Sequence, residues 1–434
     1  MSLLRAAAAV AIAAFVIQAP LPAALTPGER QLNIQSFEYV WTTIRDKHWQ
    51  TRPGGLDWQA IHDEFRPKIE AASSMDQARG LLNQMLDRLH ETHFAVVPGE
   101  IYSNVDAEHP GDQTAGIDVR VVAGQVLVTS VQTDSSAFRQ GVRPGWAILK
   151  IGDTDLAPLV AQLERTYAGS TLRDLMLRRA ILARLDRDQP DRDQEAPFAV
   201  EFLPADNQPV RKSLTLGPPP GDRVEFGYLN PMHVWFKSSR VGDGNIGYVA
   251  FNVFLGAERL MRSFGDAVQS CEKCTGFVID LRGNPGGLGV MAMGMAGWFI
   301  AQPDQKLGTL YMRDATLKFV VNPRLKTFSG PLAILVDGTS ASTSEIMAGG
   351  LKDLKRARIF GTRTAAAALP SVIEKLPNGD GFQYAIANYV SEGGEPLEGL
   401  GVTPDVEAPV TREALLAGHD PALDAAIAWI KSAK

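Results

Sequence analysis

Two turns hold the residue types that do chemistry. The first, Asp280-Leu-Arg-Gly-Asn-Pro-Gly-Gly287, closes the apolar run Gly276-Phe-Val-Ile-Asp280. A glycine-rich turn after a buried strand exposes backbone N–H groups, which bind a phosphate or an oxyanion. It lacks the Gly-Lys-Ser/Thr of a P-loop and the spacing of G-x-G-x-x-G. The second, Asp337-Gly-Thr-Ser-Ala-Ser-Thr-Ser-Glu-Ile346, places several hydroxyls between the apolar run from Leu332 and a helix predicted over about 343–354. A serine there meets free N–H groups and partial positive charge, which favour an alkoxide or oxyanion. Serine and threonine are also the usual helix caps, so Ser342 or Ser344 reads equally as an N-cap.

The elements that must position these turns follow from periodicity. Ile34, Phe37, Val40, Trp41 and Ile44 share one helical face, as do Leu81, Leu82, Met85, Leu86 and Leu89. Residues 25–100 therefore read as a helical domain ending in a short strand, Phe94 to Pro98. Tyr102 to Gln113 reads as a linker. From Thr114 the period becomes two, over Ile117–Val121 and Gln125–Val131, with a turn at Ala123-Gly124. The stretch Ser136 to Asp153 is similar to the PDZ pattern, with Trp146 where that pattern has Asp and Ile151-Gly-Asp replacing its Asn-Gly. Such a module adds an extended peptide to a sheet edge and holds a terminal carboxylate on backbone N–H groups. Thr114-Ala-Gly-Ile117 is the candidate cradle, with Gly116 and Ile117 as substrate-binding residues. A purely structural module is the alternative. This domain spans 112–217, with a helical insertion over 156–186 and returning strands at 198–203 and 211–216. Gly217-Pro-Pro-Pro-Gly221 is a boundary. Residues 222–434 alternate strands with helices at 257–270, 288–301 and 343–354, which implies a parallel core sheet.

The two turns, in this order and behind a PDZ-like module, resemble the S41 peptidases: the C-terminal processing peptidases and the tricorn-type core proteases. The resemblance runs from about residue 30 to 425 and includes Leu397-Glu-Gly-Leu-Gly-Val-Thr-Pro-Asp405. It implies a multi-domain α/β protein: an N-terminal helical domain, a PDZ-like β domain and a ClpP/crotonase-like α/β catalytic core. It also implies that Ser342 is the nucleophile and that the N–H groups of Gly286 and Thr343 form the oxyanion hole. Ser344 and Glu345 would begin and cap the helix.

The base departs from the processing peptidases. Their lysine, 25 residues after the nucleophile, falls here on Ala367, and the glutamine four residues on falls on Ser371. A methyl group accepts no proton, and Lys375 lies in a predicted strand. Serine still needs a base. The tricorn-type branch takes a histidine from the segment before its PDZ and a glutamate from late in the catalytic part. Thr92-His93 and Glu398 stand at those places. The implied triad is Ser342, His93 and Glu398, with Glu398 acting through a hydrogen-bond network that includes Thr92. A core role for His93 remains open, as does a metal role with His90 and Glu91, although H-E-x-x-H is absent. Glu398 also reads as a turn residue facing water. Asp280 and Arg282 read as a pair that holds the oxyanion turn.

Composition sets outer bounds. The chain has 434 residues, 45% hydrophobic and 21% charged, with net charge −6. Disordered, collagenous and coiled-coil classes are excluded, and a dedicated nucleic-acid binder is disfavoured. Met1–Ala24 reads as a secretory signal peptide: Arg5, then an apolar run from Ala6 to Ile17, then an Ala/Pro-rich zone. The expected location is periplasmic or secreted, with no integral membrane segment after cleavage. In that compartment Cys271 and Cys274 read as a local disulfide or two half-buried thiols. The resulting expectation is an exported serine endopeptidase that needs no cofactor or metal and acts on unstructured polypeptide captured with help from the PDZ-like part. A catalytically silent binder of peptides or small ligands on the same fold is the alternative.

Overall fold

A computed structural model describes residues 25–99, 113–186, 196–227 and 229–433, with only the backbone of Leu229 and Asn230. The signal-peptide reading of 1–24 and most of the linker lie outside the described residues.

Among the described residues, the first part has three α-helices, Pro27–Lys47, Trp58–Glu70 and Met75–Asp87. Each begins on a side-chain cap: Thr26 accepts from the Glu29 N–H, Asp57 from Ala60 and Ser74 from Gln77. Such caps occupy N–H groups that have no partner within the helix. The buried face of Phe37, Val40, Ile44, Phe65, Leu82 and Met85 is not closed by these helices alone. Leu369, Leu376, Phe382 and Tyr384 complete the same core. Strand Ala95–Val97 pairs with Gly381–Ala385, which pairs in turn with Ser371–Lys375. Arg79 holds Asp380 across this seam at 3.0 Å. Residues 25–99 thus share their core with a hairpin from late in the chain.

Residues 114–217 form an antiparallel sheet in the order Ile117–Val122, Gln125–Val131, Ala147–Ile151, Phe198–Leu203, Val210–Leu214. Thr114 and Gly217 exchange backbone hydrogen bonds at 2.7 and 2.9 Å and close the unit. Ala123 and Gly124 both have positive φ, which a tight hairpin turn requires. The insertion is two helices, Leu156–Thr166 and Arg173–Leu185, and the second packs beside the edge strand Ile117–Val122.

The third part is a six-stranded sheet in the order Phe236–Val241, Ile246–Phe251, Gly276–Asp280, Leu332–Val336, Arg358–Gly361, Val406–Glu407. All pairs but the first are parallel. Phe277, Ile279, Leu332 and Ile334 point into one apolar layer with helices Ala257–Ser270, Gly289–Ala296 and Thr343–Asp353. Val278, Ala333 and Leu335 point to the other, against helix Pro421–Ser432. Burial on both faces explains why these strands read as continuous apolar runs. The helix expected over 288–301 stops at Ala296. Its next carbonyls turn outward: Gly297 O accepts from the Arg324 N–H and Trp298 O from Phe328, each at 2.8 Å. Cys271 and Cys274 form a disulfide in the turn before Gly276–Asp280.

Candidate active site

Strand Leu332–Val336 ends at Asp337, and the hydroxyls that follow tie the two turns together. Asp337 accepts from the Thr339 N–H at 2.9 Å and from the Gly283 N–H at 3.2 Å. Ser340 donates to Leu281 O, Thr343 to Gly287 O and Ser344 to Asn284 O, at 2.8, 2.8 and 2.9 Å. Among the described residues, the Ser342 hydroxyl donates to no protein group. Ser342 sits at φ 54°, ψ −117°, at the head of helix Thr343–Asp353. A serine in that region is strained, and only a well-bonded surround keeps it there.

The surround is Glu345, fully buried three residues into the helix. Its Oε2 accepts the Ser342 and Ala367 N–H groups, each at 2.9 Å. Its Oε1 accepts the Ala366 N–H at 2.8 Å and the Thr364 hydroxyl at 2.5 Å. Burial pushes this carboxyl up to about 7 despite its four donors. Glu345 therefore does more than cap the helix: it locks segment 364–367 against the serine. Sequence spacing shows only the helix-start pattern, because its far partners come from a separate loop.

That segment also reaches the acid. Ala367 O accepts the Ser342 N–H at 2.8 Å, while the N–H of the same peptide unit, on Ala368, donates to Glu398 Oε2 at 3.0 Å. Glu398 Oε1 accepts the Thr92 N–H at 2.8 Å, and Oε2 accepts the Thr92 hydroxyl at 3.0 Å. Thr92 Oγ1 lies 2.7 Å from His93 Nδ1. Burial holds the Glu398 carboxyl above its ordinary value, against these donors. Having given its one proton to Glu398, the Thr92 oxygen accepts from Nδ1–H. This leaves Nε2 of His93 as the lone-pair nitrogen. Burial drives His93 down to about 4, so the imidazole is neutral at ordinary pH. His93 also has positive φ, in the tight turn between Asp87 and Ala95. His90 stands apart from this chain of bonds, and Glu91 bonds His48 at 2.9 Å. Lys375 is exposed, in a strand.

The oxyanion expectation needs one correction. The Gly286 N–H donates to Asn284 Oδ1 at 3.0 Å, so it is engaged. Gly286 serves by shape: a Cβ on it would lie 2.7 Å from the Ser342 Cβ and 2.9 Å from the Thr343 nitrogen. The N–H groups of Gly287 and Thr343 have no partner among the described residues. Asp280 and Arg282 do pair, at 2.6 Å, and Arg282 also grips Asp420 at 2.7 Å.

The second sheet reaches this site by charge and by packing. Arg120 bonds Asp337 at 2.7 Å and Asp118 at 3.1 Å, and Arg178 bonds Asp118 at 2.8 Å. Burial alone would raise Asp118, but Arg178 and Arg120 hold it down at about 2. Leu172 and Leu175 pack on Ala341, Ala365 and Ala367. An open cleft of about 790 Å³ starts at Gly116, Ile117 and Asp118 and runs past Pro218–Gly221 to Arg282 and Gly283. The cradle loop itself is engaged: Gly116 donates to Thr114 Oγ1, and Ala115 to the Asp186 carboxylate. Among the described residues, no three His, Cys, Asp or Glu side chains converge to hold a metal, and no helix is long and apolar enough to cross a membrane.

Residues 245–408 match the sequence profile of peptidase family S41, and residues 33–87 match the tricorn protease C1 domain. The carboxyl-terminal-processing protease of Synechocystis sp. is 24% identical over 392 residues, covering 88% of this chain and 82% of that protein. Among solved structures, mature CPAF aligns over 93% of this chain and 97% of its own, with TM-score 0.62 and 15% identity. The photosystem II D1 C-terminal processing protease aligns over the same shares, with TM-score 0.57 and 20% identity. The multi-part α/β fold is thus shared with these two solved structures. By sequence, residues 245–408 match peptidase family S41.

Proposed function

We propose that this chain is an exported serine endopeptidase in which Ser342 attacks, His93 is the base and Glu398 orients His93 through Thr92. The observation that carries the reading is the bond chain Glu398–Thr92–His93, which presents an unprotonated Nε2. His93 takes the Ser342 proton as the Oγ–C bond forms at the scissile carbonyl. The oxyanion is held by the N–H groups of Thr343 and Gly287. His93 then passes the proton to the leaving amine as the C–N bond breaks, and water releases the acyl group by the same steps in reverse. Residues 113–217 act as a PDZ-like module that lays unstructured polypeptide along the strand Ile117–Val122. The carboxyl-terminal processing activity named for the relatives supports polypeptide as the substrate. The signal-like N-terminus and the Cys271–Cys274 disulfide support an oxidising compartment outside the cytoplasm.

Hydrolysis of unfolded casein by full-length protein and by Ser342→Ala tests the assignment. The variant should lose roughly 10³-fold or more of the rate. A fluorophosphonate should label Ser342 in the wild type. Equal rates for the two proteins, or inert wild-type protein that takes no label, would overturn the reading.

A further inference from the structure

We propose that the end-binding cradle of the 113–217 module is filled by the chain's own Asp186 carboxylate, so that peptides are held by internal backbone and their C-termini go unread. This rests on the reading of that module as a peptide-binding one. A cradle for a chain end offers backbone N–H groups and a hydroxyl where a groove beside an edge strand begins. Thr114-Ala115-Gly116-Ile117 is that loop, and its last residue opens the edge strand Ile117–Val122.

Its donors on Thr114, Ala115 and Gly116 are already used. Asp186 Oδ1 accepts the Thr114 hydroxyl at 2.8 Å and the Ala115 N–H at 2.9 Å. The Gly116 N–H turns back onto Thr114 Oγ1 at 3.0 Å. A peptide carboxylate arriving there would meet a carboxylate and no free donor on these residues. The position of Asp186 is itself telling. It caps the C-terminal end of helix Arg173–Leu185, where the helix dipole disfavours negative charge. Donors from the cradle offset that cost. Burial has raised this carboxyl to about 6, against the bonds from Ala115 and Thr114.

The plug is fixed rather than hinged. Leu177, Ile181 and Leu185 are buried beneath the helix, and Arg178 bonds Asp118 of the edge strand. The cleft that starts beside Ile117 and Asp118 nevertheless remains open toward Arg282 and Gly283. A groove stopped at its end and open along its length suits a segment drawn from within a chain.

The test uses full-length Ser342→Ala protein and one labelled twelve-residue peptide, made with a C-terminal carboxylate or a carboxamide. Fluorescence anisotropy should give Kd values within three-fold of each other. Adding Asp186→Ala should tighten only the carboxylate form, by five-fold or more, while Asp186→Asn, which keeps an acceptor oxygen, should retain parity. A preference of three-fold or more for the carboxylate with Asp186 in place overturns the proposal, and this comparison needs no change at Asp186. So does Asp186→Ala protein that binds the carboxamide normally without gaining a preference. If neither peptide binds any variant, the peptide-module reading falls and the proposal falls with it.

Discussion

Thr92 has one proton to give and stands between a carboxylate and an imidazole, so it sets the direction of the proposed relay. Thr92→Val should lower kcat on the order of 10²-fold with little change in KM, and Thr92→Ser should restore it. Steady-state kinetics with wild-type kcat in the valine variant would refute the relay. His93 is held near 4 by burial, so the proposed base is competent well below the usual histidine range. The acid limb of kcat/KM should therefore inflect near pH 4, and an inflection at 6.5 would count against His93. The same shift bears on stability. The unfolded chain binds the extra proton between pH 4 and 6.5, so this residue's contribution to stability grows as pH rises through that window. Ser342 sits where glycine is at ease, so Ser342→Gly should raise Tm by a few degrees, about 1 kcal/mol of relieved strain, while abolishing hydrolysis. A lowered Tm would show that the backbone there is relaxed. The family resemblance, not side-chain types alone, pointed to Ser342, Thr92, His93 and Glu398, and the last three share one chain of bonds. The engagement of Gly286 and the reach of Glu345 were not legible, because they depend on which way a peptide plane turns.

At the scale of elements, period and punctuation located most strands and helices, since burial on one or both faces writes itself into apolar spacing. They failed where a tertiary partner intervened. The apolar run after Gly289 would continue as helix if loop 322–328 did not bind its carbonyls. Nor does spacing show that helix Arg173–Leu185 touches both the Ala115 loop and, through Asp174, Gly338 beside the serine turn. The helix Thr343–Asp353 is aimed by one carboxylate. Glu345→Gln would set an amide N–H₂ or a poorer acceptor against backbone donors, at a cost of about 1–3 kcal/mol. Its urea midpoint should fall and kcat should drop, with far-UV circular dichroism preserved. Unchanged kcat would mean that segment 364–367 is held by other contacts.

At the scale of the whole molecule, the proposed base and nucleophile stand on parts that are joined by a shared core. Protein lacking residues 25–100 should neither hydrolyse casein nor show native near-UV circular dichroism, because hairpin 371–385 would lose its apolar cover. Activity in that truncated protein would place the base elsewhere. The arrangement also has a consequence in time. Synthesis runs from the N-terminus at about 5–20 residues per second. Helices that need Leu369, Phe382 and Tyr384 for their core wait on the order of tens of seconds, during which His93 has no Glu398 to orient it. A nascent chain is then a blade not yet finished, and its neighbours around the ribosome are safe from it until Glu398 has been added.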